Sequence, residues 1–396
     1  MARVDSIEES GFPLGFRVRT GERRPSVLGM RRGREIYVVE ARKLAVHQKE
    51  AVVREGEEGS SWRLASDEGK HLKGTDLAPF PLGFFNAGLH GDLIGRIISL
   101  VKARAIELDQ LSIELKNGYS MTGSFFRGDG QGFAEPASIK VVVRSGAQTD
   151  RITDLVVDAV EASPALAAMR TPLANTFAIY VTGRRRPVET MASSKSEDAP
   201  DPFVTYSRVP SPQHDGPDLA NLIQKTGQEE AGTIVPAPAG SSTRIIRVVN
   251  GISRLIDPAG ITETDTWLEL PGMSHFALKS DERPNDDTGP SGLALLSAGV
   301  AFCFMTQLDR YIEHMKFEIG GVRLVQYCPF ALNADGERLR GIAEPVDTHL
   351  FLNGRETEET YERLMQIAAR TCYLHATLAA ALEPRLSIEL NGNDVL

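Results

Sequence analysis

The pattern of hydrophobic and polar positions predicts two long apolar helices, each set between groups of strands. One helix is predicted over residues 84–106 and the other over 290–317, where apolar residues recur at helical spacing. Runs rich in β-branched and aromatic residues before the helices predict strands at 34–46, 61–64, 244–256 and 267–270. Strands first, followed by a helix between strands, are typical of an α+β fold rather than of regular βαβ winding.

The elements after each long helix also follow one order: two strands, a helix, a short helix and a final strand. They are predicted at 111–115, 139–144, 150–162, 165 onward and 177–181 after the first long helix, and at 321–328, 348–352, 358–370, 373–382 and 385–390 after the second. Ser163-Pro164 marks the start of the first short helix, because serine is a good N-cap and proline suits the first helical position.

Short stretches of sequence recur in one order and at nearly one offset. The clearest matches pair Gly132–Pro136 with Gly341–Pro345 at 341 − 132 = 209, Ala87-Gly88 with Ala298-Gly299 at 298 − 87 = 211, and Ser66-Asp67-Glu68 with Ser280-Asp281-Glu282 at 280 − 66 = 214. The drift in offset is small enough for insertions and deletions in loops. A period of about 200 residues is far longer than a solenoid repeat, so it predicts a duplicated domain.

The duplication divides the chain into two domains. We expect the first over 11–186 and the second over 241–396, joined by a linker and insertion over 187–240 that is rich in Pro, Ser, Gly and acidic residues. In the register of the repeat, Cys303 aligns with Asp92 and Cys372 aligns with Ser163. At these two positions the second copy carries thiols and the first copy carries none. Thiol chemistry at these positions is therefore expected in the second copy alone.

Composition narrows the class of protein. The chain has 396 residues, 41% hydrophobic and 24% charged, and a net charge of −9, which argues against generic binding to nucleic acid or anionic membranes. The N-terminus has no secretory signal pattern, and the longest uncharged helix-like run, 293–308, is shorter than the ~20 apolar residues of a bilayer span. Three cysteines make no disulfide framework, so we expect a cytoplasmic protein. Cys328 aligns with Tyr119 and is interpreted as a strand-packing residue.

The other two cysteines have structural as well as functional interpretations. Cys303 lies in an apolar helix, where a cysteine is most often a buried core residue. Cys372 occupies the N-cap position that Ser163 holds in the first copy, so helix amides and the helix dipole favour its thiolate form. Arg370 adds a positive charge nearby, and His375 follows three residues later.

The first copy offers a second candidate site in its long helix. His90 and Asp92 stand in the stretch that aligns with Ala301-Phe302-Cys303, and a polar pair in a buried helix is unfavourable without partners. One interpretation is that the two long helices face each other and one of these side chains meets a polar group across the interface. The other is an acid/base site, since histidine titrates near neutral pH. The sequence contains no phosphate loop, nucleophile elbow or metal-ligand spacing.

Two cysteine-containing motifs of the second copy have a recognisable form. Ser280-Asp281-Glu282, Thr288-Gly289-Pro290-Ser291 and Leu295–Cys303 lead into an apolar helix, and Ala368–Leu378 carries Cys372 with His375, Thr377 and Leu378. Together they resemble the OsmC/Ohr family of thiol-dependent peroxidases, with its Gly-Pro-Ser entry to a cysteine-bearing helix and its Cys-Pro-x-His-x-Thr-Leu type motif. The resemblance spans most of 245–392, and the first copy looks like the same fold without the thiols.

The resemblance implies both a fold and an activity. Family members are intertwined α+β homodimers with long helices packed at the interface, so this chain resembles such a dimer fused into one polypeptide: two OsmC-like domains forming an intramolecular pseudo-dimer. It implies Cys303 as the peroxidatic nucleophile and Cys372 as the resolving thiol. A hydroperoxide substrate, a dithiol reductant and the absence of a cofactor are implied in the same way.

Three features depart from the family pattern. The family glutamate near the start of the central helix is absent, since Leu293 and Ala294 stand in that region. Tyr373 replaces the proline of the second motif. The catalytic arginine of the N-terminal strands has four candidates here: Arg17, Arg19, Arg244 and Arg247.

Three functions stay open at this point. The first is a thiol-dependent peroxidase-like protein that reduces organic hydroperoxides at Cys303, with Cys372 resolving; it requires the two sulfurs to converge. The second is a non-redox enzyme or small-molecule binding protein that uses an inter-domain pocket around His90, Asp92 and Cys303. The third is an inactive scaffold or partner-binding pseudo-dimer. Whether two chains pair as a homodimer of pseudo-dimers stays open as well.

Overall fold

The computed structural model describes residues 5–19, 26–29, 31–125, 127–208, 210–213, 221–233, 246–283, 288–336 and 338–396. Within these residues the protein is a mixed α/β structure with seven α-helices and two mixed sheets, consistent with the predicted α+β class. Arg244 and the start of the predicted second domain at residue 241 lie outside the described residues.

The helices are α1 Ile7–Ser10, α2 Pro81–Arg104, α3 Thr149–Ala162, α4 Pro164–Arg170, α5 Gly292–Met315, α6 Glu358–Thr371 and α7 Tyr373–Ala379. The strands of the first half are β1 Gly15–Arg17, β2 Arg34–Lys43, β3 Lys49–Arg54, β4 Ser61–Ser66, β5 Gln110–Thr122, β6 Gln131–Ala134, β7 Ser138–Arg144, β8 Thr176–Val181 and β9 Arg184–Arg186. Those of the second half are β10 Ile223–Gln228, β11 Arg247–Asp257, β12 Ile261–Leu268, β13 Ser274–Asp281, β14 Ile319–Asp335, β15 Arg338–Ala343, β16 Asp347–Gly354, β17 Arg385–Leu390 and β18 Asn393–Asp394.

The long helices agree with the sequence prediction to within three residues at each end. Helix α2 begins at Pro81, three residues before the predicted start, because proline is favoured in the first turn. Ser163 caps α4 as predicted, accepting a hydrogen bond from the amide of Leu166. The strand predicted at 267–270 is the end of a longer one: β12 runs over Ile261–Leu268 and forms a hairpin with β13. The buried face of β12 consists mostly of threonines, so hydrophobicity alone did not indicate it.

The two sheets are built alike, and each takes strands from both halves of the chain. The first has the order β1-β4-β3-β2-β14-β16-β8-β9, with β15 beside β14, and the second has the order β10-β13-β12-β11-β5-β7-β17-β18, with β6 beside β5. In the first sheet, four strands of the first half are followed by two of the second half and then by two of the first half. In the second sheet the two halves exchange these positions. The pairs β16–β8 and β17–β7 are parallel. Neither sheet is completed by one half alone.

Helices α2 and α5 lie between the sheets and cross each other at glycines. Helix α2 packs on β11 and β12, and α5 packs on β2 and β14. A Cβ on Gly88 would lie 2.6 Å from the carbonyl oxygen of Gly292, and one on Gly299 would lie 2.9 Å from that of Pro81. The two contacts are related by one shift, since 292 − 81 = 211 and 299 − 88 = 211. The helix backbones touch directly at these points.

Part of the segment expected as a linker packs on the outer face of the first sheet. Ala199 lies in a buried apolar cluster with Tyr180, Val325 and Phe351 of that sheet. Further along, residues 223–228 form β10, an edge strand of the second sheet. This segment therefore covers one sheet and extends the other.

Helix α5 is long and apolar enough, by length and composition, to cross a bilayer. Its apolar window is completely buried inside the protein, which is the arrangement of a central core helix. It is longer than the uncharged run 293–308 because it continues through Asp309 and Arg310 to Met315.

Candidate active site

The side chains of Cys303 and Cys372 meet in the core, although 372 − 303 = 69 residues separate them. Cys303 lies in the fourth turn of α5, and Cys372 is the N-cap residue of α7. Both are free thiols, and the two residues are 3% and 0% exposed. Burial raises the pKa of Cys372 well above its usual value, and a hydrogen bond between the two cysteine side chains raises it further. The two sulfurs are neighbours, as the first functional hypothesis requires.

The expectation that the helix start favours the thiolate of Cys372 is wrong in sign. Hydrogen bonds from the amides of His375 and Leu374 do lower its pKa, but burial is the larger effect and raises it. The Arg370 guanidinium donates a hydrogen bond to the carbonyl oxygen of Gly128. Cys372 is held as a neutral thiol.

A stripe of side chains on α5 continues from Cys303 towards the helix C-terminus. Thr306 and Arg310 follow at i+3 and i+7, the spacing that places residues on one helix face. Burial lowers the pKa of Arg310, and the charges of Glu68 and Cys303 oppose that effect. The guanidinium lies 4.3 Å from the ring centre of Phe125. Arg310 places a buried positive charge within electrostatic range of the Cys303 sulfur, and helical spacing was the sequence signal that could have found it.

The first half of the chain supplies a buried carboxylate to this site. Glu68, which follows β4, is 5% exposed and accepts hydrogen bonds from the Thr306 hydroxyl and, at 3.4 Å, from Lys49 Nζ. Its charge raises the pKa of Arg310. Leu293 and Ala294, where the family pattern has a glutamate, are buried apolar residues in the first turn of α5. No local feature of the sequence indicated that the carboxylate would come from the other half.

Tyrosines and an arginine from neighbouring elements complete one side. Tyr119 of β5 is buried, and its pKa is raised by burial first and then by the charges of Cys303 and Cys372. Its ring centre lies 5.5 Å from that of Tyr373. Arg247 of β11 pairs with Tyr119 across the sheet and lies within electrostatic range of Tyr373.

The opposite side of the Cys372 thiol faces a buried imidazole and aromatic rings. His375 Nδ1 lies 3.3 Å from Cys372 Sγ. Burial lowers the pKa of His375 to about 4, so the imidazole is neutral at physiological pH. The rings of Phe304 and Phe177 lie 5.0 Å and 5.6 Å from it, centre to centre. The thiol pair sits in a dry, aromatic-lined interior.

The aligned positions of the first half, Asp92 and Ser163, also meet. The Ser163 hydroxyl donates to Asp92 Oδ2 at 2.5 Å, and Arg96 Nε lies 3.3 Å from Asp92 Oδ1. Glu282 lies beside them; burial raises its pKa to about 8, and the charge of Asp92 contributes. The first half places a serine and a carboxylate where the second half places two thiols.

His90 and Asp92 face different partners. His90 Nδ1 lies 2.7 Å from the hydroxyl of Ser253 in β11, while Asp92 faces α4. Burial lowers the pKa of His90 to about 3, against a hydrogen bond at the Gly251 backbone. The buried ring is held neutral. His90 Nδ1 and Asp92 Oδ2 have hydrogen-bond partners, whereas His90 Nε2 and Asp92 Oδ1 are buried without one among the described residues. Neither of these hydrogen bonds links the two long helices.

The remaining candidates lie elsewhere or play packing roles. Cys328 is buried in β14, and burial raises its pKa to about 12 against a hydrogen bond with Ser297. Arg17 and Arg19 lie at the β1 edge, where their backbones pair with residues 211–213. A cleft of about 370 Å³ opens beside β2 and the β3–β4 turn; it is lined by Arg34, Glu35, Ile36, Glu55, Gly56, Glu57, Glu58 and Gly59. Within the described ranges, no group of three or more His, Cys, Asp or Glu side chains is placed to hold a metal ion.

Comparison with known proteins agrees with the position of the thiol pair. Residues 285–387 match the family model for OsmC-like protein. Among solved structures, an OsmC-like hydroperoxide resistance protein from Jannaschia sp. CCS1 is 21% identical over 38% of this chain and 97% of its own, with a TM-score of 0.26. No curated protein matches the chain. The stretch that matches the OsmC-like family model, residues 285–387, includes both Cys303 and Cys372.

Proposed function

We propose that this protein is a thiol-dependent peroxidase that reduces organic hydroperoxides through Cys303 and Cys372. The observation that carries the proposal is the contact between these two buried side chains inside the OsmC-like domain. Two free thiols that meet in a protein interior can form a disulfide with little movement of the backbone.

The proposed cycle has three balanced steps. The Cys303 thiolate attacks the terminal oxygen of the hydroperoxide, the O–O bond breaks, and the products are the Cys303 sulfenic acid and, once protonated, an alcohol. The thiol of Cys372 then attacks the sulfenic sulfur, releasing water and forming the Cys303–Cys372 disulfide. A dithiol reductant exchanges with that disulfide, restores both thiols and leaves as its own disulfide.

The two thiols differ in a way that suits these roles. Cys372, hydrogen-bonded and neutral, is a poor first nucleophile but can resolve a sulfenic acid beside it. Cys303 lies within electrostatic range of the Arg310 cation, which stabilises negative charge in the transition state of its attack. We assign Glu68 the role of orienting Arg310, the role that the family glutamate would otherwise play.

We further propose that the chain is a tandem duplicate: an OsmC-like domain over 11–186 without thiols, an insertion over 187–240, and a second domain over 241–396 with them. The equal strand orders of the two sheets support this, as do the glycine contacts related by a shift of 211 residues. The contacting pairs Asp92–Ser163 and Cys303–Cys372 support it further. On this proposal the chain is an intramolecular pseudo-dimer with one thiol site.

The proposed reductant and location follow from the thiols. All three cysteines are free and buried, which suits a reducing compartment such as the cytoplasm, where dithiol reductants are present. The substrate is a small hydroperoxide that reaches the aromatic interior beside Cys303.

The test is peroxide consumption combined with mapping of cysteine oxidation by mass spectrometry. Cys303→Ser should abolish consumption of an alkyl hydroperoxide in the presence of a dithiol. Cys372→Ser should stop after one turnover and leave a sulfenic acid on Cys303 that dimedone traps. Cys328→Ser is the matched control, because that thiol is buried away from the pair, and it should retain the wild-type rate. Both thiols remaining free after excess peroxide would contradict the proposal and favour a non-redox or scaffold function.

A further inference from the structure

Two buried polar atoms near the thiols have no hydrogen-bond partner among the described residues: the hydroxyl oxygen of Tyr119 and Nε2 of His375. The hydroxyl oxygen of Tyr119 is inaccessible to solvent and makes no hydrogen bond within the part of the chain that the structure describes. The residue as a whole is 1% exposed. A buried hydroxyl without a partner is unfavourable, and native structures keep such groups rarely and for a reason.

The surroundings of this hydroxyl identify where a partner would sit. Tyr119 lies within electrostatic range of both Cys303 and Cys372, and its ring packs on Tyr373, the residue next to Cys372. The strand that carries it, β5, belongs to the first half and pairs with β11 of the second. The Tyr119 hydroxyl, with its open hydrogen-bonding position, therefore lies in the surroundings of the two sulfurs.

We propose that Tyr119 is a catalytic residue of the peroxidase reaction, donating a hydrogen bond to the oxygen that leaves when Cys303 attacks the hydroperoxide. This inference rests on the proposed function. When the O–O bond breaks, negative charge develops on the leaving oxygen, and a fixed donor in a dry site stabilises that charge. The proton given up by the Cys303 thiol returns to this oxygen, so thiol plus hydroperoxide gives sulfenic acid plus alcohol. Tyr119 keeps its own proton throughout.

The tyrosine is suited to donation because it stays protonated. Burial and the nearby sulfurs raise its pKa well above the usual value, so its hydroxyl carries a hydrogen at every physiological pH. On this proposal, the half of the chain without thiols at the site also takes part in the reaction. The half without thiols supplies the donor, and the half with thiols supplies the nucleophile and the resolving group.

The test compares two oxidants that differ in their need for a donor. A tert-butyl hydroperoxide leaves as an alkoxide, which needs stabilisation, whereas peracetic acid leaves as acetate, which needs little. In single-turnover measurements of Cys303 thiol loss, Tyr119→Phe should slow the reaction with tert-butyl hydroperoxide about 100-fold, the effect of losing one such donor in other enzymes. The rate with peracetic acid should change less than about 3-fold, since little charge stabilisation is lost. A structural role would lower both rates alike.

Two further measurements separate this role from folding. Because the hydroxyl has no partner within the described residues, Tyr119→Phe should melt at a temperature no lower than wild type. Tyr37→Phe is the matched control: it removes another buried tyrosine hydroxyl, near Ser291, and should keep the wild-type ratio of the two rates.

The outcomes distinguish this inference from the function on which it rests. A wild-type chain whose Cys303 reacts with neither oxidant overturns both. A reactive wild type whose rate ratio is unchanged by Tyr119→Phe overturns the role of Tyr119 alone and leaves the peroxidase function standing.

Discussion

At the scale of single residues, burial decides which form each titratable group takes. The Cys372 thiol, the His375 and His90 imidazoles and the Glu282 carboxyl are all held in their neutral forms, and in each case desolvation is the largest cause. Hydrogen bonds and helix amides act in the opposite direction at three of these groups, but they are smaller. Burial is therefore the main cause of the neutral form of each of these four groups.

The effect of burial on Glu282 can be tested through the pH dependence of the free energy of unfolding. Its pKa is raised to about 8 in the folded protein, so between its ordinary value and pH 8 the folded state holds a proton that the unfolded state releases. Its contribution to stability is complete below pH 4.5 and is lost as the pH rises towards 8. Glu282→Gln removes the charge that must be buried. The variant should gain stability relative to wild type between pH 5 and pH 8, by roughly 1 kcal/mol per pH unit.

Chemical denaturation at pH 5, 6.5 and 8 measures this difference. Glu161→Gln serves as the control, because that carboxylate is half exposed and forms a surface ion pair with Arg170. A stability difference between Glu282→Gln and wild type that does not vary with pH would rule out a buried, proton-holding carboxyl at this position.

At the scale of elements, the crossing of α2 and α5 fixes the distance between the two halves. Sequence patterns predicted both helices to within three residues at each end. Their close approach depends on Gly88 and Gly299, where any side chain would meet the backbone of the other helix. Backbone atoms are not free to move aside as a flexible side chain is. The same helices carry Cys303 and Asp92, so the crossing also positions both sites.

Gly299→Ala should destabilise the protein even though alanine is the better helix former. The added Cβ would lie 2.8 Å from the amide nitrogen of Phe85, a contact that forces the helices apart. Overpacking of this kind costs about 1–3 kcal/mol, and the loss should exceed the gain of ~1 kcal/mol in helix propensity. Denaturant titration measures the difference. Gly146→Ala is the control, since a Cβ there meets nothing within 4 Å, and it should be neutral.

At the scale of the whole molecule, both the sheets and the thiol site are composite. Cys303, Cys372 and Arg310 come from the second half, whereas Glu68 and Tyr119 come from the first. In both sheets, groups of strands from the first half alternate with groups from the second half. The OsmC-like domain at 285–387 therefore holds the thiols without holding the complete set of groups around them.

Separated halves provide the test at this scale. A fragment of residues 214–396 should not fold as a monomer, because its strands β14, β15 and β16 belong to a sheet whose six other strands lie in the first half. Mixing it with residues 1–213 during refolding should restore a one-to-one complex and the oxidation of Cys303. Circular dichroism and gel filtration of each fragment and of the mixture measure this. A monomeric 214–396 fragment with native circular dichroism would contradict the shared-sheet architecture.

The sequence by itself determined the features that depend on local spacing. Helical periodicity and capping residues placed both long helices, the Ser163 cap and the short helices, and recurring motifs aligned Asp92 with Cys303 and Ser163 with Cys372. The hairpin β12–β13 was missed because threonines form its buried face.

Only the tertiary structure decided the rest. It brought Glu68 and Tyr119 to the thiols from the other half, through strand and helix contacts between residues more than 180 positions apart, such as Tyr119 and Cys303 at 303 − 119 = 184. It also reversed the expected effect on Cys372, because burial of the sulfur outweighs the hydrogen bonds from the helix amides. Spacing along a chain fixes what one turn of helix or one strand presents, whereas burial and charge environment arise when distant elements pack together.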